Sequence, residues 1–473
     1  MLEPSAGTLA AFLNATAELD DFGFGDLGFT LTSSTFGGFQ KEKIMNDNIK
    51  AGKSSPTGTL PRHFYSLDAL RGLAAFAVVF WHWHHFFYRG TALQPNFDVS
   101  RQPLFALFQP FYMDGWRAVD LFFCLSGFIF FWLYSDKISR RQMPGSNFFI
   151  LRFSRLYPLH LLTLIIVMAG QKWMMALQGS YFVVPNNDLY HFLLQTAFAS
   201  SWGFEKGYSF NAPIWSVSVE ILCYAAFFIT CLFRFNRWWC LVPAACAGCL
   251  LRHIGQDLHD NSMEHLGGGI FGFFVGALAF QVFEWLNVNV RKLVLPALSC
   301  LAVLLWIFIP LDAHYDLTMR AYKAICGSGF YFHGKDIGKC IVDNLSSVSF
   351  ELFLFPVTIV TLALWETRRG TLGRRLAWLG NISYSSYLLH FPLQIVFAGM
   401  AMWLGIQSSF FYSPVALLMF FGALIPLSLL SYKYFERPCQ SFLRDYMIKR
   451  PATIHIPIAV ARVKAASPID ADP

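Results

Sequence analysis

Long apolar stretches separated by short polar segments set the pattern of the chain. Ten such stretches stand out: 67–87, 117–134, 156–175, 213–233, 238–253, 266–285, 293–311, 347–366, 377–404 and 412–435. A helix that crosses hydrocarbon needs roughly 20 mainly apolar residues. The pattern therefore predicts an all-α polytopic membrane bundle of about ten transmembrane helices. The 238–253 stretch is short, and is expected to be tilted or partly re-entrant. Residues 188–202 are apolar but too few to cross, so they read as an interfacial helix. Residues 1–60 carry Gly, Ser, Thr and scattered Phe without a period, and read as a disordered tail. The last residues, 441–473, read the same way, which leaves 61–440 as the membrane domain.

Composition sharpens the picture. The 473 residues are 55% hydrophobic and only 14% charged, with mean hydropathy +0.45 and net charge +7. A soluble domain carries about 25% charged residues, and a nucleic-acid-binding chain needs a strongly basic face. Both classes are excluded. Basic residues also predict orientation, since cytoplasmic loops retain Lys and Arg. With the N-terminus inside, the inner loops 135–155, 234–237, 286–292 and 367–376 hold 13 Lys/Arg in 42 residues. The outer loops hold 7 in 120. Both termini are thus expected in the cytoplasm, in a multi-pass protein of the inner membrane. The first thirty residues lack the basic start of a cleavable signal. Cys246 and Cys249 form a CxxC without a second ligand pair, so no metal site is expected. Cys326 and Cys340 share an outer loop and could pair if that side is oxidising.

Ionisable groups inside membrane spans are costly, and mark candidate sites. Arg71 and His82 are eleven residues apart in the first span. They therefore share a helix face about 16 Å apart. Arg71 alone could equally snorkel to the interface. Asp120 opens the second span, as a buried acid or as a helix-start acid. Ser126 and Gly127 beyond it suit close helix packing. Arg152 and Arg155 precede the third span, three apart on one face. At a helix N-terminus such a pair makes an anion site suited to phosphate, unless it only marks topology. Glu220 lies inside the fourth span, either catalytic or bonded to a neighbouring helix. By helix rise, His82, Asp120 and Glu220 are expected about 5–10 Å below the outer surface, opposite the arginines. His84 and His85 read as interfacial, Glu351 likewise, and His390 as holding a structural hydrogen bond near mid-membrane.

The pieces LDALRG…H, VDLFFCLSGF, RFSRLYP, PIWSVSVE, LGNISYSSYLLHFP and YFERP follow one another between about Tyr65 and Pro438. In that order they resemble the membrane acyltransferase 3 family, which acylates hydroxyls of bacterial surface glycans and some small molecules. The resemblance aligns the family's arginine–ten–histidine pattern with Arg71 and His82, its paired arginines with Arg152 and Arg155, and its WSxSVE acid with Glu220. It implies no bound cofactor, and acyl-CoA, usually acetyl-CoA, as co-substrate from the cytoplasm. The chain departs from the family's glycine-rich run before VDLFF, where it reads DGWRAVD.

Two readings follow. In the first, the protein is a membrane O-acyltransferase. His82 is then general base toward the acceptor hydroxyl, oriented by Asp120 or Glu220, or it carries the acyl group transiently. Arg71, Arg152 and Arg155 hold the donor phosphates. The partners would be acyl-CoA, a glycan or small-molecule hydroxyl acceptor and the lipid bilayer. In the second, the same residues line the path of a transporter or flippase for an anionic or glycan substrate. Transporters commonly show related halves, and the chain has no internal repeat.

Overall fold

The computed structural model describes residues 63–289, 293–326 and 348–448, with residues 331–332, 335–336, 342, 345 and 346 between them. The tail expected over 1–60, most of that over 441–473, and Cys340 lie outside the described residues.

Every apolar stretch falls on helix, and the protein is an all-α polytopic bundle. In chain order the helices are α1 Tyr65–Trp81, α2 Phe105–Asp114, α3 Ala118–Ser139, α4 Gly145–Gln178, α5 Leu189–Thr196, α6 Trp215–Leu232, α7 Trp238–Leu258, α8 Asn261–Asn289 and α9 Val294–Tyr315. There follow α10 Leu317–Cys326, α11 Phe355–Arg369, α12 Ala377–Asn381, α13 Ser383–Trp403, α14 Pro414–Ser431 and α15 Arg437–Met447. Among the described residues, seven helical segments are long and apolar enough to cross a membrane. These comprise α2–α3, α4, the α6 region, α8, α9, the α11 region and α14–α15. The stretches predicted at 67–87, 238–253 and 377–404 are held by α1, α7 and α12–α13, of which α1 has only 17 residues. Helix α5 coincides with the expected short interfacial helix, capped by Asp188 accepting from the His191 amide.

Two boundaries differ from expectation, and each moves a candidate residue. Helix α1 stops at Trp81, and His82–Phe87 continue as a 3₁₀ turn. Helix α4 starts at Gly145, behind Pro144, because nothing in SNFFILRFSR breaks a helix. Arg152 and Arg155 are therefore two to three turns inside it, where their amides are already paired, and Pro158 lies within the helix rather than in its first turn. Helix α6 and the turn before it start where the apolar stretch at 213 does. The preceding turn is anchored by Asn211, fully buried, whose amide donates to Thr163 of α4 and to the Leu388 carbonyl of α13.

Small residues set the close approaches, since lipid gives apolar helices no reason to associate beyond packing. A Cβ on Gly127 of α3 would sit 1.8 Å from the Phe273 carbonyl of α8, and one on Gly276 of α8 1.9 Å from that of Cys124. Helix α1 is seated at its N-terminus by Glu366 of α11. This fully buried carboxylate accepts from the Tyr65 and Ser66 amides at 2.7 and 2.9 Å and from the Ser66 hydroxyl at 2.6 Å. It satisfies amides that a helix start leaves orphaned, and its charge suits the dipole there.

Candidate active site

His82 closes α1 and meets α13. Its Nδ1 lies 3.2 Å from His390 Nε2, with the two rings stacked at 5.0 Å. His390 Nδ1 lies 2.6 Å from the Tyr387 carbonyl. One turn further along α13, Gln394 donates to the His82 carbonyl at 2.8 Å, and its amide oxygen meets His85 Nδ1 at 3.0 Å. The expected acid beside His82 is thus replaced by a second histidine: neither Asp120 nor Glu220 bonds it. His85 is buried in this cluster rather than interfacial, whereas His84 bonds back to the Trp81 carbonyl of its own turn.

Asp120 belongs to another cluster. It projects from α3 toward Glu351, which pairs with Arg252 of α7 at 2.5 Å. Glu351 is fully buried, not interfacial, and Arg252 and Asp120 are nearly so. The two acids lie beside the Arg252 guanidinium, with the charge of Arg117 also acting on Asp120, and one oxygen of each acid has no hydrogen-bond partner.

Glu220 bonds a neighbouring helix, the second of its two expected roles. As the sixth residue of α6 it lies on the arginine side of the bundle rather than beside His82. The Glu220 carboxylate accepts from Ser126 at 2.7 Å, and its charge acts on Arg71 and on Tyr224. Ser126 therefore holds the acid as well as permitting packing.

Arg71 is pinned. Its Nε donates to Ser383 Oγ at 3.2 Å, and its Nη2 to Asp68 Oδ1 and the Gly380 carbonyl, both at 3.0 Å. Asp68 also meets His63 at 2.6 Å, a hydrogen bond that raises the His63 pKa above the usual histidine value. Arg152 donates to the Tyr134 hydroxyl and lies over the rings of Phe130 and Tyr134, while its Nε has no partner. Arg155 forms no ion pair or hydrogen bond among the described residues, yet its charge acts on Asp68, Arg71 and Glu436. Arg444 of α15 joins them, within the field of both Arg152 and Arg155 and 3.4 Å from Ser154 Oγ. A cavity of about 370 Å³ opens beside Arg152, walled by Phe153, Tyr157, Phe198, Ile221 and Tyr224.

The element that sequence reading undervalued is α13. Ser383, Tyr387, His390 and Gln394 recur at spacings of four, three and four, one face of a helix. Ser383 meets Arg71, Tyr387 bonds Ser216 and the Pro213 carbonyl, His390 meets His82, and Gln394 meets His85. A polar stripe on an otherwise apolar span was the signal for it. Arg444 had no such signal, because it lies in the stretch read as tail.

The family model Acyl_transf_3, described as an acyltransferase domain, matches residues 64–433. The chain is 34% identical over 109 residues to protein 2 in the picA locus of Rhizobium radiobacter, covering 23% of this chain and 46% of that protein. It is 31% identical over 192 residues to the acyltransferase MdmB of Streptomyces mycarofaciens, covering 38% of this chain and 44% of that one. The matched part is under half the length of each relative. No solved structure matches significantly.

Proposed function

The chain belongs to the Acyl_transf_3 family of acyltransferase domains, and from that premise we propose a membrane O-acyltransferase with acyl-CoA as donor and a glycan hydroxyl as acceptor. The acyl group is acetyl in the simplest case, and the acceptor is extracytoplasmic or lipid-linked. One observation carries the reading: the polar face of α13 runs from an arginine cluster at Ser383 to a histidine pair at His390. The arginines suit the phosphates of coenzyme A, for which guanidinium forks are matched. The histidines suit proton transfer at the hydroxyl.

His82 takes the proton of the acceptor hydroxyl as its oxygen attacks the thioester carbonyl. The tetrahedral intermediate collapses, the carbon–sulfur bond breaks, and the imidazolium returns its proton to the thiolate of coenzyme A. The ester and the free thiol leave, and the protein is unchanged. Asp120 takes no direct part in this scheme, and Glu220 acts at the arginine end.

Thiol release from acetyl-CoA tests the reading, measured on the full-length protein in membrane vesicles of its own host, where the acceptor is present. His82→Ala is expected to lose a factor of about 10²–10⁴, the scale of a general base. Acetyl-CoA binding should persist, because Arg71, at the arginine cluster, lies about 16 Å from His82 along the first span. His84→Ala, whose ring serves only its own turn, should cost little. Normal transfer by His82→Ala would remove histidine catalysis at this position. Comparing surface glycans by mass spectrometry with and without the gene would then identify the acceptor.

A further inference from the structure

We infer that His390 fixes the tautomer of His82 and so leaves His82 Nε2 as the bare nitrogen available to take a proton. The inference rests on the general-base reading of His82 above.

It starts from the far end of the chain of contacts. A peptide carbonyl has no proton to give, so an imidazole nitrogen bonded to one must carry the hydrogen. His390 Nδ1, 2.6 Å from the Tyr387 carbonyl, is therefore the donor. In a neutral imidazole the other nitrogen is then an acceptor. His390 is fully buried and no carboxylate bonds it among the described residues, so a charged ring there would stand without a counter-ion. Its Nε2 faces His82 Nδ1 at 3.2 Å. Two lone pairs would repel at that contact, so His82 Nδ1 carries the proton and His82 Nε2 does not.

Gln394 extends the same device. Its amide nitrogen must face the His82 carbonyl, which can only accept, and this turns the amide oxygen toward His85 Nδ1. One amide thus anchors the backbone of His82 and orients the neighbouring ring. In an acid–histidine pair a carboxylate does this work, and also stabilises the imidazolium. Here a neutral histidine backed by a carbonyl supplies the orientation without the charge. His390 is accordingly a positioning residue. In the alternative case His390 only stacks on His82 and has no part in setting its tautomer.

Two variants separate these cases in the thiol-release assay. His390→Leu removes the acceptor facing Nδ1, and His390→Gln restores one through its amide oxygen. The maximal rate should fall about 10–100-fold in His390→Leu, the usual cost of losing a ring's orienting partner. The acetyl-CoA concentration giving half-maximal rate should stay unchanged, and His390→Gln should recover most of the rate. A normal rate in His390→Leu beside an inactive His82→Ala overturns the positioning role and leaves the base intact. An active His82→Ala overturns the reading beneath it. Ring ¹⁵N shifts of the histidine-labelled wild-type protein in nanodiscs read the tautomer without any variant. A proton on His82 Nδ1 is expected, and one on Nε2 in its place overturns the inference.

Discussion

Arg155 has the most to offer an incoming anion. Arg71 spends its donors on Ser383, Asp68 and Gly380, which ties α1 to the α12–α13 junction. Arg152 spends one on Tyr134 and stacks on two rings. Arg155 keeps all of its donors unbonded among the described residues, and Arg444 meets only a serine hydroxyl at 3.4 Å. Arg155→Ala should therefore weaken acyl-CoA binding by about 1.5–3 kcal/mol, the scale of a hydrogen bond to a charged group. Arg444→Ala should act in the same direction, and Arg71→Ala should lower thermal stability before it lowers affinity. Titration of each purified variant with acetyl-CoA checks all three. Unchanged affinity in both Arg155→Ala and Arg444→Ala would reduce them to markers of the positive-inside rule.

Helices were legible in the apolar pattern, but their ends and depths were not. Span length reports where hydrocarbon-compatible sequence lies, whereas α4 starts at Gly145, eleven residues before the apolar run at 156, and continues through RFSR. The apolar stretch at 213 sets where Glu220 lies along its helix, but its partner, Ser126, follows from how α6 packs on α3. Asp120 and His82 share a depth on paper, yet α3 turns Asp120 toward Arg252, a matter of rotation that no rise per residue encodes. The close seams are a clearer case, since GxxxG-like spacing announces them. Gly276→Ala, which drives a Cβ into the Cys124 carbonyl, should cost about 1–3 kcal/mol, as overpacking does. Gly422→Ala on α14, where a Cβ meets nothing within 4 Å, is the matched control. Thermal unfolding in detergent distinguishes them, and equal melting temperatures would refute the tight seam. Arg252→Ala, which strands the buried Glu351 carboxylate, should cost about 3–5 kcal/mol in the same measurement.

Across the whole molecule, the proposed chemistry needs the arginine end in the cytoplasm and the histidine end beyond it. The charge bias expected from the sequence points the same way, with 13 Lys/Arg in the 42 residues assigned there to the inner side. A reporter fused after Lys206 should signal outside and one after Arg369 inside. An external signal at Arg369 would reverse the donor face. The carboxylate that seats α1 carries a consequence for biosynthesis. Glu366 stands 301 residues beyond the Tyr65 amide it receives. At about 5–20 residues per second, the ribosome delivers it roughly 15–60 s after the first helix has been made. Until then the helix that bears His82 waits in the bilayer with its leading amides unclaimed. A nascent chain that stalls before Glu366 should therefore be recognised by membrane quality-control proteases as unfinished at its beginning, although what it lacks is near its end.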